Sequence, residues 1–351
     1  MLEKFIPQLA RAELLTEEQV RQAVDELADE KIPASVKADF LTALALKGET
    51  PDEIAAFARA LRDKSIPPPL DPAWRNRREI LDVVGTGGDR LGTFNISTAA
   101  ALVCAAAGVT VAKHGNRAVT SQAGSADVLE ALGVRIDLTP PDAVRSLQER
   151  RFAFFFAPAW HPAFKHIGPA RKICAERGQR TIFNYLGPLL NPARPSAMLV
   201  GVPQPELCEP LARVLQSLGV RRAMVVCGQV RDPGSQVQGA IDELSTLGEN
   251  TIAEFYQERG FTVSTLSPEQ FPLQTATLAD LMGGDRAANA EIIRRIFRGE
   301  ERGPKRDAVL LNSAAALFVA GRTKSLAEGW DLAGGTIDRG HASAKLEELA
   351  R

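Results

Sequence analysis

Hydrophobic positions near the start of the chain recur with the spacing of amphipathic helices. Val20, Val24 and Leu27 share one helical face, and Thr16 and Gln19 ahead of them have the spacing of a capping box. A proline-rich stretch, SIPPPLDPAW at residues 65–74, then ends the pattern. Because proline cannot continue a helix, this stretch predicts a stiff boundary. We therefore predict a small helical domain over residues 1–70.

Beyond this boundary, apolar runs that suit buried strands alternate with helical segments. Strands are predicted at residues 80–84, 109–112, 152–156, 197–202 and 223–227, and helices at 97–107, 124–133 (with Ser125 as its cap), from 139 onward and at 206–218. This alternation is typical of βαβ units. The predicted fold class is α/β, with a mostly parallel central sheet in a large domain of residues 75–159 and 191–351. Residues of about 160–190 are helical and are expected to complete the small domain.

Composition narrows the class of protein. The hydrophobic fraction of 45% and the charged fraction of 24% are those of an ordinary soluble chain, and a net charge of −1 gives no overall field for nucleic acid. The cysteines, at 104, 174, 208 and 227, lack metal-ligand spacing and suit reduced thiols. No signal peptide is evident, and the longest apolar run, residues 98–112, is too short to cross a bilayer. We expect a cytoplasmic protein without a nucleic-acid or membrane partner.

The first segment with recognisable chemistry is DVVGTGGDRLGTFNIST, residues 82–98. Arg90 stands where a Rossmann fingerprint needs its third glycine, and Thr93 stands where a Walker A motif needs lysine. Both motifs are therefore excluded, and a tight structural turn stays an alternative for the glycines alone. The strand, the glycines and the following helix start nevertheless suit an anion site, because the first helical N–H groups lack partners.

A second polar segment, KHGNR at residues 113–117, follows the next predicted strand. In open α/β sheets, ligands bind at the carboxyl ends of strands, so both loops are expected to face one ligand.

These segments resemble the anthranilate phosphoribosyltransferases. The resemblance rests on DVVGTGGD, FNIST, KHGNRAVTSQAGSADVLEALG, RTIFNYLGPLLNPARP and IDELS, and it covers nearly the whole chain. It implies a cleft between a small helical and a large α/β domain, and a Mg²⁺-dependent homodimer. It also implies transfer of the phosphoribosyl group of phosphoribosyl pyrophosphate (PRPP) to anthranilate in tryptophan biosynthesis, which gives N-(5-phosphoribosyl)anthranilate and pyrophosphate.

The same resemblance implies the site residues. Lys113 would offer a mobile charge to phosphate, His114 and Asn116 would border both substrates, and Arg171 would meet the anthranilate carboxylate. The expected substrate-binding residues are Gly85, Gly88, Asp89, Thr93, Asn95, Ile96, Ser97, Thr98, Lys113, His114, Gly115, Asn116, Arg117, Ala118, Val119, Thr120, Ser121, Ser125 and Arg171.

Ser97, Asp242 and Glu243 match the family's metal ligands, and we expect two Mg²⁺ ions with PRPP. One departure affects this expectation: the approach CGQVRDPGSQVQGAI, residues 227–241, is longer than the family's usual segment. The implied nucleophile is an aromatic amine, which is unprotonated near neutral pH. Catalysis then needs positioning, charge neutralisation and exclusion of water, so no residue is assigned as a general acid or base.

Other interpretations stay open at this point. A pyrimidine nucleoside phosphorylase would share the fold and a phosphate loop, and a non-catalytic relative could bind nucleic acid. Without the resemblance, an Asp-Glu pair is usually a solvated surface pair. Likewise, Arg171 would be an exposed helix arginine, and His114 a structural histidine.

Overall fold

The computed structural model describes residues 2–118, 122–231, 238–257 and 260–351. Its amino-terminal part consists of the helices α1 (Ile6–Ala10), α2 (Glu17–Ala28), α3 (Ala34–Lys47), α4 (Pro51–Asp63) and α5 (Pro72–Asn76). Thr16 caps α2 as predicted, because its side chain accepts from Gln19 N while the Gln19 side chain accepts from Thr16 N. Local side-chain hydrogen bonds thus fix where α2 begins.

A central sheet organises the rest of the described chain. Its strands are β1 (Ile80–Gly85), β2 (Thr110–Gly115), β3 (Phe152–Phe156), β4 (Ala197–Gly201), β5 (Arg222–Arg231), β6 (Gln238–Ile241), β7 (Asn250–Tyr256) and β8 (Gly260–Leu266). The order is β3-β2-β1-β4-β5-β7-β8, and β6 pairs with β5. Strands β1 to β5 pair in parallel, and the later strands join antiparallel. The predicted α/β class with a mostly parallel sheet is confirmed.

Helices cover both faces of this sheet. They are α6 (Ile96–Ala106), α7 (Ser125–Ala131), α8 (Pro140–Arg150), α9 (Ala157–Trp160), α10 (Phe164–Glu176), α11 (Phe183–Leu186), α12 (Cys208–Ser217), α13 (Leu278–Leu281), α14 (Arg286–Phe297), α15 (Pro304–Val319), α16 (Leu326–Asp338) and α17 (His341–Leu349). The alanine-rich α6 and α15 pack against each other and are buried along most of their length. Their small side chains allow this close packing beneath the sheet.

The opposite face of the sheet joins the amino-terminal helices. Ile167 and Ala170 of α10 belong to one buried cluster with Phe40 and Leu41 of α3, and Val200 of β4 is part of it. Helix α10 therefore packs on the small helical domain, although it follows β3 in the chain. The division at residues 70, 75, 159 and 191 stays a prediction.

Two local expectations were incomplete or wrong. We predicted no strand after residue 227, whereas β6, β7 and β8 extend the sheet there. We also expected Ser125 to cap α7, but Gly124 is the N-cap and Ser125 is the first helical residue. A side chain at Gly124 would overlap the backbone of Arg117 and Ala118, so the tight loop requires glycine at this position. In the described part of the chain, no helix has the length and apolarity needed to cross a membrane.

Candidate active site

The glycine-rich loop leads from the end of β1 to the start of α6. Gly87 and Gly88 have φ angles of +75° and +91°, which L side chains rarely adopt. Thr86 N donates to Gly201 O at 2.9 Å, so the loop is anchored to the end of β4. The loop therefore crosses the carboxyl edge of the parallel strands and presents backbone toward the start of α6, where anions bind favourably.

The acidic pair reaches this loop. Asp242 Oδ2 accepts from Gly87 N at 2.6 Å, and Glu243 Oε1 accepts from Ser97 N at 3.1 Å. A side chain at Gly85 would overlap the Asp242 carboxylate, and one at Gly201 would overlap the Asp242 carbonyl. These two glycines are thus needed for the close approach of the acidic pair. Without the resemblance this pair could have been on the solvated surface, and the structure shows that it is not.

The long approach to the acidic pair is part of the sheet. Strand β5 continues to Arg231, and β6 returns antiparallel to it, with Gly228 opposite Ile241 and Arg231 opposite Gln238. Residues 232–237 between these strands lie outside the described residues. The described parts of the longer segment, residues 227–231 and 238–241, are therefore paired in the sheet, and β6 leads directly to Asp242.

Electrostatics favour a cation beside the acidic pair. Burial, followed by the carboxylates of Asp89 and Glu243, raises the pKa of Asp242 well above its usual value. Burial also raises the pKa of Glu243 to about 7, although Lys113 opposes this shift. Carboxylates that ionise reluctantly here would be stabilised by a bound positive ion.

Magnesium fits the donors at this point. Asp242, Glu243 and Ser97 offer hard oxygen atoms, which Mg²⁺ prefers over nitrogen or sulfur. Within the described residues, no three His, Cys, Asp or Glu side chains converge to hold a metal by themselves. This is compatible with Mg²⁺, which is often bound by one or two carboxylates together with waters and substrate phosphates.

Lys113 is fixed, and the expectation of a mobile charge is wrong. The side chain lies on β2 with 1% exposure, and its ammonium donates to Val83 O at 2.6 Å and to Ser97 Oγ at 3.5 Å. Burial lowers its pKa, while Asp82 and Glu243 oppose the shift. The cation thus lies beneath the loop beside the acidic pair, because strand β2 is covered on both faces. A direct contact with phosphate stays a prediction.

Sequence reasoning missed a buried polar group under the second loop. Asp82 in β1 accepts from His114 N at 3.3 Å and from Asn191 Nδ2 at 2.8 Å, and Asn191 also donates to Ala112 O at 2.7 Å. Burial raises the pKa of Asp82 to about 6. The detectable signal was an acidic residue inside the apolar run ILDVV, because a buried charge needs a partner.

His114 lies against a second buried histidine, His161. Its Nε2 lies 3.2 Å from Nε2 of His161, and the two residues are 5% and 3% exposed. Burial, followed by His161, lowers the pKa of His114 to about 3, and burial lowers that of His161 to about 4. Both imidazoles are therefore neutral near pH 7.

A row of rings connects this pair to Arg171. The ring centroids of His161 and Phe164 are 5.5 Å apart, and those of Phe164 and Phe183 are 5.6 Å apart. The guanidinium carbon of Arg171 lies 5.3 Å from the Phe183 centroid. Arg171 is exposed, and no carboxylate within the described residues pairs with it. An aromatic acid could thus find rings and a cation together here.

The remaining loop residues lie between the two strands' ends. Gly115 has no room for a side chain because Ser125 Oγ and the Phe154 ring lie against it, and Ser125 Oγ donates to Asn116 O at 3.4 Å. Arg117 forms ion pairs with Asp127 and Glu130 of α7. The Ala118 N–H also donates to Asp127, at 2.9 Å. The expected Val119, Thr120 and Ser121 lie outside the described residues.

Two expected binding residues at the start of α6, Ile96 and Thr98, are buried. Ile96 is 1% exposed and Thr98 is fully buried, with no hydrogen-bond partner for Thr98 Oγ1 among the described residues. Thr93 forms a backbone bridge with Met282, and Asn95 Nδ2 donates to Ala123 O at 3.2 Å. The structure thus brings the glycine loop, the second polar loop and the acidic pair together, while Arg171 lies at the far end of the ring row.

Known proteins resemble this chain along its whole length. The helical bundle domain of the glycosyl transferase family matches residues 3–65, and the a/b domain of that family matches residues 77–343. The anthranilate phosphoribosyltransferase of Petrotoga mobilis is 44% identical over 349 residues, which cover 99% of this chain and 96% of the relative. That of Geobacter sulfurreducens is 45% identical over 359 residues, covering 99% and 98%. The chain belongs to the anthranilate phosphoribosyltransferase family.

Solved members of the anthranilate phosphoribosyltransferase family share the fold. The crystal structure of the Thermus thermophilus enzyme is 43% identical, has a TM-score of 0.85 and covers 98% of each chain. The Saccharomyces cerevisiae enzyme in complex with PRPP and Mg is 27% identical with a TM-score of 0.86, covering 99% of this chain and 96% of that one. The chain is thus an enzyme of the glycosyltransferase class.

Proposed function

We propose that this chain transfers the phosphoribosyl group of PRPP to the amino group of anthranilate, in tryptophan biosynthesis. The products are N-(5-phosphoribosyl)anthranilate and pyrophosphate. The observation that carries the proposal is the meeting of the acidic pair with the glycine loop, through Gly87 N to Asp242 at 2.6 Å and Ser97 N to Glu243 at 3.1 Å. Two carboxylates beside a glycine loop and a helix start suit a Mg²⁺-bound diphosphate.

The yeast relatives support both substrates. One was solved in complex with PRPP and Mg, and another, 25% identical with a TM-score of 0.84 and covering 99% of this chain and 96% of that chain, was solved in complex with 4-fluoroanthranilate.

In the proposed reaction, the anthranilate nitrogen bonds to C1 of the PRPP ribose as the bond from C1 to pyrophosphate breaks, and the nitrogen then releases one proton to water. Asp242, Glu243 and Ser97 Oγ would hold Mg²⁺, and we propose two ions with PRPP. When bound, Mg²⁺ neutralises charge on the departing pyrophosphate. Lys113, buried under Ser97, places its side-chain nitrogen on the same side.

Anthranilate would lie along the row of Phe164 and Phe183, with its carboxylate at Arg171. Its amine is neutral near pH 7 and needs no prior deprotonation, which agrees with two neutral histidines nearby. The chain's contribution is then to orient the amine toward C1 and to keep water away from it.

The binding residues keep the assignment given by the family's motifs. We propose that PRPP is bound by the glycine loop and the start of α6 (Gly85, Gly88, Asp89, Thr93, Asn95, Ile96, Ser97, Thr98) and by the second loop (Lys113, His114, Gly115, Asn116, Arg117, Ala118, Val119, Thr120, Ser121, Ser125). In this structure Arg117 is paired with α7, so its contact with PRPP requires that the ion pairs with Asp127 and Glu130 be exchanged.

We also propose a homodimer and a cytoplasmic location. The resemblance to the anthranilate phosphoribosyltransferases supports the homodimer. Sedimentation velocity of the purified protein measures the oligomeric state directly, and a monomer at micromolar concentration would contradict the dimer.

The function is tested with purified protein, Mg²⁺, PRPP and anthranilate. Anthranilate fluorescence should fall, and pyrophosphate should appear, only when PRPP is present. A parallel reaction with thymidine and phosphate tests for a nucleoside phosphorylase and should show no turnover. A folded protein that consumes no anthranilate, or that cleaves thymidine instead, would refute the proposal.

A further inference from the structure

Asn289 of α14 has a buried side-chain amide whose orientation is fixed by its partners. It is 2% exposed, its Oδ1 accepts from Gly284 N at 2.8 Å, and its Nδ2 donates to Asn95 Oδ1 at 3.0 Å. A backbone N–H can only donate, so Gly284 decides which end of the Asn289 amide is oxygen. The nitrogen end must then face Asn95.

This orientation fixes Asn95 in turn. Asn95 Oδ1 receives the N–H of Asn289, and Asn95 Nδ2 therefore points the other way, where it donates to Ala123 O at 3.2 Å. The resulting series of hydrogen bonds runs from Gly284 through Asn289 and Asn95 to Ala123, and each residue donates to the next one. It links the residue before α6 to the loop that precedes α7.

The backbone before α14 also contacts the segment that leads to Asn95. Phe94 N donates to Leu281 O at 3.1 Å, and Gly283 N donates to Gly92 O at 2.9 Å. A Cβ atom at Gly283 would lie 2.6 Å from Asn289 Oδ1, so glycine there makes room for the amide. Residues 281–284 and Asn289 thus support residues 92–95 through backbone and side-chain hydrogen bonds.

We propose that Asn289 is a positioning residue for PRPP binding, which acts by orienting the amide of Asn95 between the two substrate loops. Because an amide can rotate by 180° and exchange donor for acceptor, Asn95 needs a partner that allows one orientation only. Asn289 supplies that partner without reaching the ligand itself. The inference rests on the proposed function for the identity of the ligand.

The test is a double-mutant cycle on PRPP binding, measured by calorimetry with Mg²⁺ present. Asn289→Ala should weaken PRPP binding roughly tenfold, which equals about 1.4 kcal/mol. In an Asn95→Ala background the same substitution should have no further effect, because its target is absent. The KM for anthranilate, measured separately, should stay unchanged.

A second variant separates positioning from simple structural support. Asn289→Asp keeps the acceptor for Gly284 N but loses the donor to Asn95, so PRPP binding should weaken at least as much as with alanine. A variant with aspartate that binds PRPP like the parent would overturn the inference, and this variant serves even where alanine impairs folding.

Asp285→Ala is the matched control. Asp285 caps the same helix by accepting from Ala288 N at 2.8 Å, so its loss destabilises α14 without changing the Asn289 amide. We expect a lower melting temperature and unchanged PRPP affinity. Additive effects of Asn289→Ala and Asn95→Ala would overturn the inference while leaving the function intact. A parent protein that binds no PRPP would overturn both.

Discussion

Replacing His161 with phenylalanine should change how stability depends on pH. The unfolded chain binds a proton at a histidine with a pKa of about 6.5. In the folded protein, burial lowers the pKa of His161 to about 4, so the folded state stays neutral where the unfolded state is charged. The stability that this residue contributes is complete above pH 6.5 and is lost as the pH falls toward 4. Phenylalanine cannot titrate and keeps a ring against Phe164.

The size of the effect follows from these two values. Between pH 7 and pH 5, the unfolded histidine takes up most of one proton while the folded one takes up little. Integration over this range gives a loss of about 2 kcal/mol for His161 in the parent. No reduction for solvent screening is needed, because the residue is only 3% exposed. His114 has a pKa of about 3, so it also lowers the free energy of unfolding between pH 7 and pH 5, by a similar amount. This contribution remains in the variant.

The assay is urea unfolding at pH 7 and pH 5. Asp82 and Glu243 have raised pKa values and act with the opposite sign in this range, but they are common to both proteins. The difference between parent and variant therefore isolates His161, and the variant should lose about 2 kcal/mol less than the parent. Trp160→Phe, a neighbouring core change without titration, should lose as much as the parent. Equal losses in the parent and in His161→Phe would refute the reasoning.

Three further outcomes can be measured. Arg171→Ala should raise the KM for anthranilate by a factor that corresponds to a loss of about 2 kcal/mol of binding free energy, and the KM for PRPP should stay unchanged. A KM for anthranilate equal to that of the parent would remove Arg171 from the pocket. Residues 65–74 and 184–195 should act as hinges, so X-ray scattering should show compaction with both substrates, whereas identical profiles would indicate a rigid cleft. Replacing residues 232–237 with Asn-Gly should preserve activity, because Arg231 and Gln238 are already paired, and lost turnover would assign this segment a role.

Local patterns in the sequence were sufficient for much of the fold. The cap at Thr16 and the buried run FAFFF each depend on neighbours within a few residues, so they could be predicted. The antiparallel strands β7 and β8 were missed because β8 is mostly exposed and has little apolar pattern. Its pairing depends on register with β7, which a local pattern does not specify.

The candidate site shows the same limit. The glycine loop and the acidic pair are separated by about 155 residues. Only the family resemblance indicated that they lie close together, and the fold explains why they do. The mobile role expected of Lys113 failed because its burial depends on strands packed around β2. Asn289 contacts Asn95, and His161 contacts His114. Both partners are far away in the sequence, and no sequence motif predicts such contacts. Side-chain partners across elements are therefore what the sequence alone could not supply.

The central claim is that Asp242 and Glu243 bring Mg²⁺ to the glycine loop, and the direct test is the Mg²⁺ dependence of the double variant Asp242→Asn, Glu243→Gln. These changes keep the size of both side chains and remove two charges from a group of few protein ligands. We predict a steep fall in the rate of anthranilate consumption at low Mg²⁺, with partial recovery as Mg²⁺ is raised. A Mg²⁺ curve that superimposes on that of the parent would contradict the account.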